Sequence, residues 1–173
     1  MRSAWGRILS VSKVTGVLVG LVCLTGQGCP SGAAPTWTAD PYGMWSAGLK
    51  IVAIPAEENP NPNGLKEGDA SVETWTFAVQ GDQTVLTIAS GSTWGQAIGT
   101  LTTTGNNFQF VGESSAFDSL GIHMYITIDG VFTGPNNFEG TKRTDFYSIT
   151  AAWLGIAPQF VGFESASVMA QRG

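Results

Sequence analysis

The chain holds a single histidine, His123, and that count bounds most of the side-chain chemistry open to it. Nucleophilic catalysis of the Ser–His kind needs a serine and an orienting acid within hydrogen-bond reach of the base. His123 shares a period-two face with Tyr125 and Asp129. At the rise of an extended strand Asp129 stands roughly 20 Å away, too far to pair, and Tyr125 about 7 Å away, a neighbour and nothing more. No serine occupies a G-x-S-x-G elbow: Gly112-Glu113-Ser114-Ser115 lacks the second glycine, and Ser90-Gly91-Ser92 has no histidine of its own. His123 therefore reads as a polar-face residue, and a His-rich metal site is excluded by count.

Carboxylates are the next candidates, because a glycoside hydrolase needs two of them facing across a cleft. Glu73, Glu113, Asp129 and Glu164 are available, and each reads first as the solvated face of a strand. Glu57, Glu58, Glu67 and Asp69 fall among Asn and Pro in a long loop at residues 55–71. Their oxygens suit calcium, but the spacing is not that of an EF-hand, so the loop reads as acidic and solvated. Phosphate loops and dinucleotide fingerprints are absent, and no cofactor is expected.

The two cysteines, Cys23 and Cys29, lie near the N-terminus. Arg2, Arg7 and Lys13 form a basic region, followed by an uncharged apolar run at residues 14–24 (VTGVLVGLVCL). That run suits the core of an export signal and is shorter than the roughly 20 residues of a membrane-spanning helix. The segment Thr25-Gly26-Gln27-Gly28-Cys29 then resembles the bacterial lipoprotein signal, in which a small residue precedes a cysteine that is lipidated and becomes the mature N-terminus. Residues 30–35 (PSGAAP) follow as a tether of small residues and proline. The resemblance implies a signal peptide at 1-28, a lipid-anchor tether at 29-38 with the acyl chains on Cys29, and a folded domain at 39-173. The alternative is an ordinary signal peptide cut near Ala33 or Ala34, which discards Cys29 and leaves a secreted or periplasmic soluble protein. Either way no disulfide framework forms. The domain must be held by its own core, for which about 135 residues suffice.

Removing the signal changes the charge. Lys50, Lys66, Lys142, Arg143 and Arg172 remain against thirteen acidic residues, a balance of −8. Such a surface disfavours nucleic acid and anionic lipid head groups, so the expected membrane contact is the anchor at Cys29.

The domain that positions these residues alternates with period two and shows no sustained helical period. Strands are expected at about 42–54, 72–80, 83–89, 93–103, from 107, 121–133, 138–150 and 160–171. On the first, Trp45, Ala47, Leu49, Ile51 and Ala53 share a face; on the second, Trp75, Phe77 and Val79 do. Leu86 with Ile88, Phe108 with Phe110, and Ile122, Met124, Ile126 and Ile128 share faces on later strands. Turns fall at Gly81-Asp82, Thr104-Gly105-Asn106 and Gly134-Pro135-Asn136-Asn137, and residues 151–156 suit a helical turn or a bulge. The fold class is all-β, an antiparallel up-and-down meander. An even count near eight lets it close into a barrel without exposed edges. Gly95, Gly99, Gly112, Gly130, Gly140 and Gly162 would serve as points where the sheet coils.

Gly43-Met44-Trp45 opens the first strand as G-x-W, which resembles the first motif of the lipocalin and avidin-like (calycin) barrels. The 55–71 loop falls where lipocalins carry a long loop over the barrel mouth, and Thr144-Asp145-Phe146-Tyr147 is similar to their late Thr-Asp-Tyr segment. The resemblance implies a barrel and, with it, an internal cavity. The aromatic residues allow two readings: they fill the barrel, or they line a cavity for a flat or apolar ligand. The resulting expectation is an exported cell-envelope lipoprotein whose barrel acts as a non-enzymatic binding or structural module. The alternatives are a lipocalin-like carrier of a small apolar ligand, held by Trp45, Trp75, Phe108 and Met124, and an envelope hydrolase using paired carboxylates.

Overall fold

Inward and outward residues alternate along most of the strands, as a sheet with one wet face requires. The computed structural model describes residues 37–54, 66–91 and 93–173, with the backbone alone at 93 and 94. The export signal, Cys29, the tether to residue 36 and the loop positions Glu57 and Glu58 lie outside the described residues. The strands are β1 (Gly43–Ala53), β2 (Ala70–Gln80), β3 (Gln83–Ser90), β4 (Thr93–Thr104), β5 (Asn107–Ser114), β6 (Ile122–Gly134), β7 (Asn137–Ser148) and β8 (Gln159–Arg172). Each pairs antiparallel with the next, and β8 pairs with β1 to close the barrel. Short 3-10 turns at Asp118–Leu120 and Ala152–Leu154 interrupt two of the connections.

The turns form where their chemistry allows. Gly81 and Gly105 have φ of 67° and 60°, the left-handed region that a two-residue hairpin needs and that costs glycine least. Within the wall, Gly99 pairs with Gly112, and Gly130 with Gly140. A Cβ at Gly99 would overlap the Val111 carbonyl oxygen, and one at Gly130 would overlap the Phe108 ring. These glycines let neighbouring strands coil sharply, and at Gly130 the vacated space is covered by an aromatic ring.

The two ends of the barrel differ. The end at which β1 begins is filled by rings: Trp45, Phe108, Phe132 and Phe138 are at most 3% exposed. Their centroids lie 4.9 Å (Trp45–Phe138), 4.9 Å (Phe108–Phe138) and 5.3 Å (Phe108–Phe132) apart. Each such pair contributes about 0.5–1.5 kcal/mol beyond the area it buries. Residues 37–42 close this end. Pro41 is fully buried, its carbonyl accepts from Trp45 Nε1 at 2.8 Å, and Trp37 packs edge-on against Phe132. Arg172 completes the closure, with its guanidinium 4.7 Å from the Trp45 ring centroid and donating to the carbonyls of Asp40 and Tyr42.

One expectation of shared burial fails. Val79 keeps phase with Trp75 and Phe77 but is 65% exposed, because it stands one residue from the end of β2, beside the Gly81-Asp82 turn and past the packed rings.

Candidate functional site

Charge inside the barrel is the first feature that alternation produces and composition does not. Glu73 is in phase with Trp75 and Phe77 on β2, and Lys142 and Thr144 are in phase with Phe138 and Phe146 on β7. All therefore point inward. Lys142 reaches Glu73 across β8 and β1, donating to both carboxylate oxygens at 3.0 and 2.9 Å. The crossing is possible because the paired inward residues are small: Ala166 beside Lys142 and Ala47 beside Glu73. Trp75 Nε1 donates to the same carboxylate at 2.6 Å, and the ammonium lies 5.8 Å from the Trp75 ring centroid.

Glu164, inward on β8 and paired with Thr144, completes the cluster. Burial pushes its carboxyl above the ordinary glutamate range; the Lys142 charge pulls the other way and the Glu73 charge adds to the rise. The reading of all four carboxylates as solvated strand faces thus holds for Glu113 and Asp129 and fails for Glu73 and Glu164. Phase with the flanking aromatics was the signal that places Glu73 and Lys142 inside. Their pairing has no sequence signal, since the two strands are not neighbours.

Outside the barrel, His123 is held between two carboxylates. Its Nδ1 lies 2.9 Å from Asp118 Oδ1 and its Nε2 3.6 Å from Glu113 Oε2. Asp118 sits in the 3-10 turn before β6, a position that strand spacing does not reach. Asp129, expected to be too far to pair with His123, instead accepts from Gln109 Nε2 at 2.7 Å. Both imidazole nitrogens face acids, so the arrangement ties together β5, β6 and the turn. Among the described residues no group of three or more His, Cys, Asp and Glu side chains is placed to hold a metal ion.

Of the residues expected to hold a ligand, Trp45, Trp75 and Phe108 are brought together in one packed cluster. Trp75 stacks on Phe138 at 6.2 Å and meets Phe77 edge-on at 6.4 Å. Met124 is buried but lies outside that cluster, on the far side of the barrel's length and paired with Phe146. An open groove of about 440 Å³ does exist on the outer wall. Thr102, Gln109, Asp129 and Thr141 line it, together with Phe108, Gly130 and Gly140.

The remaining feature is the rim where β1 ends. Residues 152–160 are all exposed, with Trp153 at 81% and Leu154 at 58%. Leu120 in the neighbouring 3-10 turn is 66% exposed, and the two loops are joined by the Ile149 N–H donating to the Gly121 carbonyl at 2.9 Å. Below the rim, on the outer wall, runs a ladder of edge-to-face rings: Phe160–Tyr147 at 5.6 Å, Tyr147–Tyr125 at 5.2 Å and Tyr125–His123 at 5.3 Å. Elsewhere the outward positions are mostly Thr, Ser, Gln and charged residues, the reverse of the apolar band of a membrane-spanning barrel.

No protein-family model matches the sequence, and no curated protein matches it either. Among solved structures, a redesigned beta barrel is similar over 76% of this chain and 90% of its own, at 14% identity and a TM-score of 0.44. A likeness of that degree says nothing about function.

Proposed function

We propose that the chain is an exported cell-envelope lipoprotein whose barrel serves as a non-enzymatic binding module, engaging its partner through the outer surface and rim. The observation that carries this reading is the filled interior. Trp45, Trp75, Phe77, Phe108, Phe110, Phe132 and Phe138 are each at most 3% exposed and stack on one another. An eight-stranded barrel is just wide enough for side chains or one small ligand, and here the side chains occupy it. In this reading the inward carboxylates hold the barrel together: Glu73 is engaged by Lys142 and Trp75 inside the wall. Exposed apolar side chains are available to a partner on the wall, as at Val72 and Met169, and at the rim, where Trp153 is 81% exposed. Anchoring through Cys29 supplies the envelope location in this reading.

A lipocalin-like carrier is the second reading. It is favoured by the Glu73 side chain, which points inward yet keeps 14% of its surface exposed. Titration with an apolar fluorescent dye separates the two. A filled barrel shows no saturable binding. Saturable binding that quenches tryptophan emission would favour the carrier. Replacing Cys29 with Ala and following the protein out of the membrane fraction tests the anchor.

A further inference from the structure

Two rows of outward side chains cross the wall at the groove on β4, β5, β6 and β7. The register sets Thr102, Gln109, Asp129 and Thr141 side by side, one from each strand. Thr104, Asn107 and Val131 form the next row. Given the spacing between strands and between outward residues on one strand, the two rows cover a footprint of roughly 14 Å by 7 Å. The volume of the groove, about 440 Å³, lies within the range of roughly 300–1,000 Å³ common to small-molecule sites.

The chemistry of this lining is narrow. Three hydroxyls, two carboxamides and one carboxylate are its polar side chains, and among the described residues no lysine, arginine or histidine lines it. Gln109 Nε2 donates to Asp129 Oδ1 at 2.7 Å, which fixes the centre of the first row. Among the described residues that is the one bond between two lining side chains, so the threonine hydroxyls and the Asn107 amide are left to face the groove. Val131, 49% exposed, adds an apolar surface beside them.

This combination suits few ligands. An anion would meet the Asp129 carboxylate with no cation in the lining to offset it. An apolar ligand would take hydroxyls and amides out of water without giving them partners. An extended peptide has no strand edge to join, because the eight strands close on one another. A ligand that carries its own hydroxyls around an apolar carbon face matches. Its hydroxyls can donate to Asp129 and to Gln109 Oε1 and accept from Asn107 Nδ2, while its carbon face rests on Val131.

Deepening the reading of the barrel as a binding module with a filled interior, and resting on it, we infer that this groove binds a neutral saccharide laid across the four strands.

The test titrates the full chain calorimetrically with maltotriose, cellotriose and the trisaccharide of N-acetylglucosamine, with trigalacturonate as an acidic control. Saturable binding of at least one neutral trisaccharide is expected, and at least about tenfold weaker binding of the acid. Thr102→Val and Thr141→Val keep the side-chain shape and remove a hydroxyl from each end of the first row. Each should weaken binding about three- to tenfold, and Asp129→Ala should weaken it further. All three positions are exposed, and unchanged thermal midpoints would show that the variants keep the fold. No saturable binding of any neutral trisaccharide up to about 10 mM, binding that all three variants leave unchanged, or tighter binding of the acid would each overturn the inference. Those outcomes leave the outer surface as the binding face. Saturable dye binding inside the barrel is the separate result that removes that broader reading.

Discussion

Lys142 and Glu73 form a two-point ion pair across the inside of the barrel, 3.0 and 2.9 Å from nitrogen to the two oxygens, between strands that do not touch. Taking two charges out of water is costly, and the attraction repays the cost only with good geometry. Removing one partner is worse, since it strands the other charge. Lys142→Met should therefore lose about 3–5 kcal/mol in urea unfolding. The double variant Glu73→Gln/Lys142→Met, which keeps an oxygen for Trp75 Nε1, should recover most of that loss. Equal losses in the single and double variants would sink this account of the pair.

Glu164 makes stability depend on pH in a definite direction. Its folded carboxyl holds the proton more tightly than the unfolded chain does, through burial first and the Glu73 charge second, against the opposing Lys142 charge. The contribution is therefore complete below the ordinary glutamate value of 4.5 and is lost as pH rises through the higher folded value. Glu164→Gln should remove this slope and leave the variant more stable than the natural chain at neutral pH. The measurement is the difference in urea midpoint between the two proteins across that range. A difference that stays flat with pH would refute it.

The glycines within the wall should not respond alike to alanine. At Gly99 the added methyl meets the Val111 carbonyl and the Gly112 Cα on the next strand, both backbone, so the strands must part. A loss of roughly 2–4 kcal/mol is expected. At Gly95 the nearest atom is the Ala116 Cβ at 3.5 Å, ordinary contact, and Gly95→Ala should be neutral or stabilising by a few tenths of a kcal/mol. Thermal unfolding of the two variants checks the contrast, which fails if both behave the same way.

Arg172 closes the ring-filled end by shape as well as by charge. Its planar guanidinium covers Trp45 and donates to two carbonyls of residues 37–42. Lysine keeps the charge and loses both the stacking plane and the fork of donors. Arg172→Lys should lower stability by about 1–3 kcal/mol and loosen residues 37–42 to proteolysis. A lysine variant as stable and as protease-resistant as the natural chain would show that charge alone holds this closure.

Local alternation was sufficient to read the strands. Trp45, Ala47, Leu49 and Ile51 fall on one buried face, and the strand limits differ from expectation by at most two residues. Exposure was less legible. Val79 has the right phase and is exposed because burial depends on how far the opposite wall extends, which no single strand records. Asp118, the partner of His123, lies in a turn, where period-two spacing does not apply.

Eight strands, their inward faces and the hairpin glycines all follow from the sequence, because each depends on residues within a few positions of one another. The closure of β8 on β1, the Lys142–Glu73 bond, the rise in the Glu164 carboxyl and the gathering of Leu120 with Trp153 on one rim were decided only by the tertiary structure. Those relationships join residues dozens of positions apart, and their energies depend on distance and on exclusion of water. Both quantities exist only once the barrel has closed.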